Sequence, residues 1–115
     1  MKTFVRDKKQ NREWHYFFGK YHETDLGISY VKIEDENHKY IDQEHYHQEA
    51  YEYYMVLRWE AVMYIESQKT KLSPKIVTMI EPWEHHYISK ISKFPFEMIV
   101  MTSVREPKDK ITIKE

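Results

Sequence analysis

The stretch Glu49-Ala50-Tyr51-Glu52-Tyr53-Tyr54-Met55-Val56-Leu57-Arg58-Trp59-Glu60-Ala61-Val62-Met63-Tyr64-Ile65-Glu66-Ser67-Gln68 decides how this chain folds, because it supports two readings. Ala50, Tyr53, Tyr54, Leu57, Ala61, Tyr64 and Ile65 fall at helical spacing, as an amphipathic helix requires. In such a helix, however, Tyr51, Met55, Val56, Val62 and Met63 would occupy the opposite face, and the run is dense in Tyr and Val, which favour strands. The residues therefore predict a hairpin, with strands near 52–57 and 60–66 turning at Arg58-Trp59.

On either side of this stretch, short runs rich in β-branched and aromatic residues recur: Trp14 to Phe18, Ile28 to Ile33, Ile76 to Ile80 and Phe96 to Val104. Polar or Pro-containing segments separate the runs, among them Glu34 to Lys39, Ser67 to Lys71, Ser73-Pro74-Lys75 and Glu81-Pro82-Trp83-Glu84. Many short strands at close spacing predict an all-β antiparallel sandwich or barrel. Phe94-Pro95-Phe96 fits the start of an edge strand, where Pro is tolerated. There is no repeat and no linker rich in Gly, Pro or Ser, so residues 1–115 read as one domain, with 105–115 as a C-terminal tail.

Composition excludes several function classes. With 32% charged residues and a formal charge of -1, no one-sign field is available to attract nucleic acid or an anionic membrane. No apolar run reaches the length of a membrane-spanning helix, and Met1 to Asp7 lacks the apolar core of a signal peptide, so a cytoplasmic location is expected. The absence of cysteine excludes disulfides, thiolate metal sites and a cysteine nucleophile. With two glycines, Gly19 and Gly27, a Gly-rich phosphate loop cannot be built.

Chemistry concentrates in Glu44-His45-Tyr46-His47-Gln48-Glu49-Ala50-Tyr51-Glu52. On a strand, residues two apart share a face, so His45 and His47 can reach one ion together, whereas a helix would separate them. Glu52, starting the next strand after a turn near Ala50 and Tyr51, can return its carboxylate to the same place. Two imidazoles and a carboxylate form a facial set that leaves coordination positions open. A later histidine in Ile80-Glu81-Pro82-Trp83-Glu84-His85-His86 strengthens the pattern.

These residues resemble the cupin superfamily, whose first motif places Glu shortly after His-x-His and whose second brings a further His. His45, His47 and Glu52 match the first motif with four intervening residues, Tyr53 to Glu60 look like the strand that follows it, and Leu72-Ser73-Pro74 through His86 looks like the second. The resemblance covers about residues 40 to 104. It implies a jelly-roll, a double-stranded β-helix barrel, with the metal ligands His45, His47, Glu52 and His86 inside; a one-residue slip would present His85 instead of His86. The family usually has glycine where this chain has Lys39, Trp59, Lys75 and Trp83, and turns demanding positive φ take Trp and Lys poorly, so turns of different geometry are expected there.

The resemblance implies a divalent transition metal (Fe, Mn, Ni, Co, Cu or Zn) and a small polar substrate or ligand, handled by isomerase or dioxygenase chemistry. His85, Tyr54 and Glu84 are the nearby candidates for a general base. Tyr54, Val56 and Arg58 share parity with Glu52 and are expected either to line the same cavity or to form ordinary core. Other functions compatible with the sequence are a non-catalytic ligand or metal sensor and a metal-free sugar-nucleotide isomerase. Trp59 and Trp83 read as edge packing ahead of lids, Lys39, Lys69, Lys71, Lys75 and Lys93 as solubility charges, and His15, His22 and His38 as solvated surface. A sheet edge, or the aromatic flank Trp14 to Phe18, is where a homodimer would pair.

Overall fold

The computed structural model describes residues 1–12, 15–19, 24–36 and 43–113. His22, His38, Lys39 and Trp14 lie outside them. Among the described residues eleven strands run in chain order as β1 Arg6–Arg12, β2 His15–Phe18, β3 Gly27–Ile33, β4 His45–His47, β5 Glu52–Arg58, β6 Ala61–Ile65, β7 Gln68–Leu72, β8 Val77–Ile80, β9 His86–Ile91, β10 Phe96–Thr102 and β11 Lys110–Thr112, with one 3-10 turn at Pro107–Asp109. They form two antiparallel sheets, β1-β2-β3-β10-β5-β8 and β11-β4-β9-β6-β7. This is the expected all-β jelly-roll architecture, and no described helix is long and apolar enough to cross a membrane.

Alternation produces the core. Along β3 every second residue from Gly27 to Ile33 is buried, and β5 and β10 follow the same period. Val31, Ile33, Val56, Phe96, Met98 and Val100 thereby meet Ala61, Met63, Leu72 and Ile88 from the facing sheet. Each large side chain buried in this way contributes about 1.5–3 kcal/mol.

The decisive stretch is β throughout, but it is not the expected hairpin. β5 pairs with β10 and β8, whereas β6 pairs with β7 and β9, so the chain passes from one sheet to the other between Arg58 and Ala61. Ser92 holds that corner, its Oγ accepting from Glu60 N at 3.0 Å and its own N donating to Glu60 O at 2.9 Å. The hairpin lies one step later, at β6 and β7, where Glu66 and Ser67 both take positive φ (48° and 66°) in a two-residue turn. Ser67 to Lys71, expected as a separator, thus supplies the turn and most of β7.

Further expectations are corrected. Trp59, Lys75 and Trp83 do adopt positive φ, at 68°, 70° and 71°. Strand pairing on both sides fixes these corners, and each side chain accepts a cost of about 1 kcal/mol that glycine would avoid. Phe96 opens β10, which lies between β3 and β5 rather than at an edge; Pro95 immediately precedes it. The segment read as a tail is integrated: β11 pairs with β4 in the register Lys110↔His47 and Thr112↔His45, and Asp109 is buried.

Candidate metal centre

Strand parity sends His45 and His47 of β4 inward, with Tyr46 between them facing out. His86, the first residue of β9, is the direct cross-strand partner of His45, so three imidazoles share the inner face of the five-stranded sheet. Glu52 comes from the other sheet, at the start of β5, and faces them across the interior. The intervening chain is clamped by Asp109, whose carboxylate accepts from Glu49 N at 2.7 Å and Ala50 N at 3.1 Å while its carbonyl accepts from Gln48 N.

All four residues are buried, His86 completely, and their donor atoms lie within 4.8 Å of one another. Glu52 Oε1 is 2.7 Å from His86 Nε2 and 3.9 Å from His45 Nε2, and Glu52 Oε2 is 3.3 Å from His47 Nε2. The opposite ring nitrogens all face acceptors: His45 Nδ1 meets Gln43 O at 2.8 Å, His86 Nδ1 meets Glu84 O at 2.9 Å and His47 Nδ1 stands 3.3 Å from Asp109 Oδ2. A neutral imidazole that donates through Nδ1 keeps its lone pair on Nε2. Three such lone pairs therefore converge on a carboxylate. Tyr54 Oη donates to Glu52 Oε1 at 2.9 Å and fixes that carboxylate from the side.

Electrostatics follow from burial and proximity. Burial, with the positive charges of His86 and Lys110 adding to it, lowers the His45 pKa to about 4, which favours its neutral, ligating form. For Glu52, burial by itself would raise the pKa, but the imidazoles of His47 and His86 outweigh it and hold the group below the usual carboxylate range. His47 Nε2 is buried and makes no hydrogen bond. An orphaned nitrogen facing a carboxylate and two further imidazoles fits a divalent ion with nitrogen and oxygen ligands.

Three members of the cluster, His45, His47 and Glu52, line a cavity of about 410 Å³, whose other walls include His15 and Phe17 of β2, Tyr54, Met98 and Arg105. His15, expected at the solvated surface, is half-buried and lines this cavity; its signal was the alternation His15, Phe17 along β2, which puts both on one face. Asp109 was missed because its segment read as tail, although Lys110-Ile111-Thr112-Ile113 has strand alternation. His85 faces out, stacked on Tyr46 at 4.7 Å and 3.7 Å from Glu44 Oε2, so the slip that would replace His86 does not occur. Glu84 is turned back onto Glu81 N at 2.7 Å, which leaves Tyr54 alone of the three expected base candidates in the cavity. Val56 keeps the parity of Glu52 but is buried in the core, and Arg58 is exposed because a register shift in the β5–β10 pairing between Val56 and Arg58 changes the parity there. Trp59 packs against the core, and exposed Trp83 stacks on Tyr46.

No protein-family model and no curated protein sequence matches this chain. Solved structures do. Over 97% of this chain and 86% of that one, it is similar to a variant of Streptomyces Pac13 solved with uridine, at 16% identity and a TM-score of 0.68; Pac13 is described as a nucleoside dehydratase. A cupin superfamily protein from Desulfitobacterium hafniense matches at 21% identity and TM-score 0.60, over 86% of this chain and 84% of that one. A Bacteroides fragilis cupin matches at 20% identity and TM-score 0.58, over 73% and 69%. The chain has the cupin fold, and its interior holds a buried His-His-Glu-His cluster compatible with metal binding.

Proposed function

We propose that this protein binds one divalent transition metal ion through His45, His47, Glu52 and His86 and acts on a small polar molecule in the adjoining cavity. One observation carries the reading: three Nε2 atoms and a carboxylate converge in a buried space, with each Nδ1 facing an acceptor. Without a cation or extra protons that arrangement sets lone pair against lone pair. Fe, Mn, Ni, Co, Cu and Zn all suit such ligands. The bound ion would supply Lewis-acid or redox chemistry to oxygen atoms of the ligand.

The chain's own residues do the rest. Tyr54 holds Glu52 and can exchange a proton with a bound molecule, while His15 reaches the same cavity from β2. Phe17 and Met98 offer an apolar wall, and a cavity of this size suits a compact ligand. The structural likeness to a nucleoside dehydratase solved with uridine supports a small polar substrate, and an ion with open coordination positions would serve isomerase or dioxygenase chemistry on it. The open cavity beside the cluster favours a ligand-handling role over a closed metal store.

Elemental analysis of protein purified without an affinity tag tests this reading. One ion per chain is expected, and His47→Ala should lose most of it while the circular dichroism stays that of a β protein. Full occupancy in His47→Ala would refute the ligand assignment. The 2.7 Å contact of His86 with Glu52 favours one alternative, a metal-free acid–base centre in which a proton fills that contact. Protein that takes up no ion from a series of divalent salts but still binds or converts a small ligand would establish it.

A further inference from the structure

On the ligand-handling reading proposed above, the geometry points to a small carboxylate with an apolar body as the molecule this cavity takes, and to Lys110 as the residue that selects it. β11 borders β4 at one edge of the five-stranded sheet, and the register Lys110↔His47 turns Lys110 to the inner face, its Cβ about 5 Å from that of His47. Ile111, the next residue, stands instead beside the outward-facing Tyr46. Lys110 both borders the cavity and is exposed, as a cation at the mouth is. Its field reaches the cluster, where, after burial and His86, it opposes a positive charge on His45.

The other charges around the cavity are matched. Arg105 Nη1 donates to Gly19 O at 2.7 Å, its Nη2 lies 3.4 Å from Asp7 Oδ2, and its guanidinium covers the Phe17 ring at 4.8 Å. Glu106 accepts from Lys108 N at 3.1 Å, Asp109 accepts from Glu49 N and Ala50 N, and Glu52 faces the imidazoles. Among the described residues Lys110 forms no ion pair. The cavity is thus left with an uncompensated ammonium, and an ion at the cluster would add to it, because a dication outweighs the charge of Glu52. Both ends of the cavity then favour an anion.

Between those ends the wall is apolar. Strand register aligns Phe17, Ser29, Val100 and Tyr54 in one inner row and sets Val31 opposite Met98 in the next. Ser29 turns its hydroxyl to Val100 O at 3.4 Å, so the middle of the row presents carbon. A molecule lying along it buries an apolar body and keeps its charge for the mouth. One unmatched ammonium balances the single charge of a carboxylate rather than the near-double charge of a phosphate monoester. A neutral sugar or nucleoside would leave Lys110 without a counter-charge, and an amine would be repelled.

NMR titration of the full chain, zinc-loaded and chelator-treated, with benzoate and its neutral isostere benzamide tests the proposal. Benzoate should bind about 5-fold or more tighter than benzamide, Lys110→Gln should erase that preference without weakening benzamide, and Lys110→Arg should keep it. Benzoate-induced shifts should centre on the methyl groups of Met98 and Val100. Lys110 is an exposed residue of an edge strand, so the β-sheet circular dichroism should be retained in both variants. Equal affinity for the two probes, no benzoate binding in the millimolar range, shifts confined to the outer surface, or an unchanged preference in folded Lys110→Gln would overturn it. A chain that takes up no zinc yet still prefers benzoate through Lys110 would refute the ion assignment and uphold the carboxylate.

Discussion

Asp109 bears on the centre without touching the space between the four clustered residues. Its carboxylate ties down Glu49 N and Ala50 N and stands beside His47 Nδ1, so it sets both the bend between β4 and β5 and the tautomer of His47. Asp109→Asn keeps the size but puts an amide donor within reach of the Nδ1 proton, and metal affinity is expected to fall about 10- to 100-fold in a chelator-competition titration. His45 gives a pH dependence whose sign is fixed by its burial. Its folded pKa is lowered to about 4 against an ordinary value of 6.5, so between those values the unfolded chain binds the proton that the folded chain refuses. Urea unfolding of chelator-treated protein should therefore show stability falling as pH drops from about 6.5 toward 4; a rise over that interval would contradict a neutral buried His45.

Corners between strands carry a different kind of information. Lys75 is exposed at φ 70°, and Trp59 is packed against the core at φ 68°, so the same backbone strain has opposite prospects for relief. Lys75→Gly should stabilise the protein by about 0.5–1 kcal/mol in urea titration, since it removes the left-handed penalty and no buried contact. Trp59→Gly should destabilise it, because the lost burial exceeds that relief. The β5–β6 corner also shows why the expected hairpin failed. Both strands were legible from their Tyr and Val content, but the partner of each lies elsewhere in the chain, at β10 and β9, and local pattern carries no record of it. In β7, Gln68-Lys69-Thr70-Lys71-Leu72 buries only its last residue, so its polar sequence looked like loop.

At the scale of the whole molecule, an ion held by the proposed ligands would couple its binding to folding, because His45, His47 and His86 come from one sheet and Glu52 from the other. A divalent ion at about 100 times its Kd should add about 2.7 kcal/mol to the unfolding free energy and raise Tm by several degrees, and His47→Ala should largely abolish that increment. The sequence by itself determined the all-β class, most of the strands and the grouping of His45, His47 and Glu52, because a period of two and the His-x-His spacing are local properties of the chain, whereas the choice of His86 over His85 was made by the register of β9 against β4. Tertiary structure alone decided that Glu52 faces the imidazoles from the opposite sheet, that His15 shares their cavity and that Asp109 reaches back to His47. Those relations join residues as far as 62 positions apart, from 47 to 109, and only the pairing of strands brings such distances to contact.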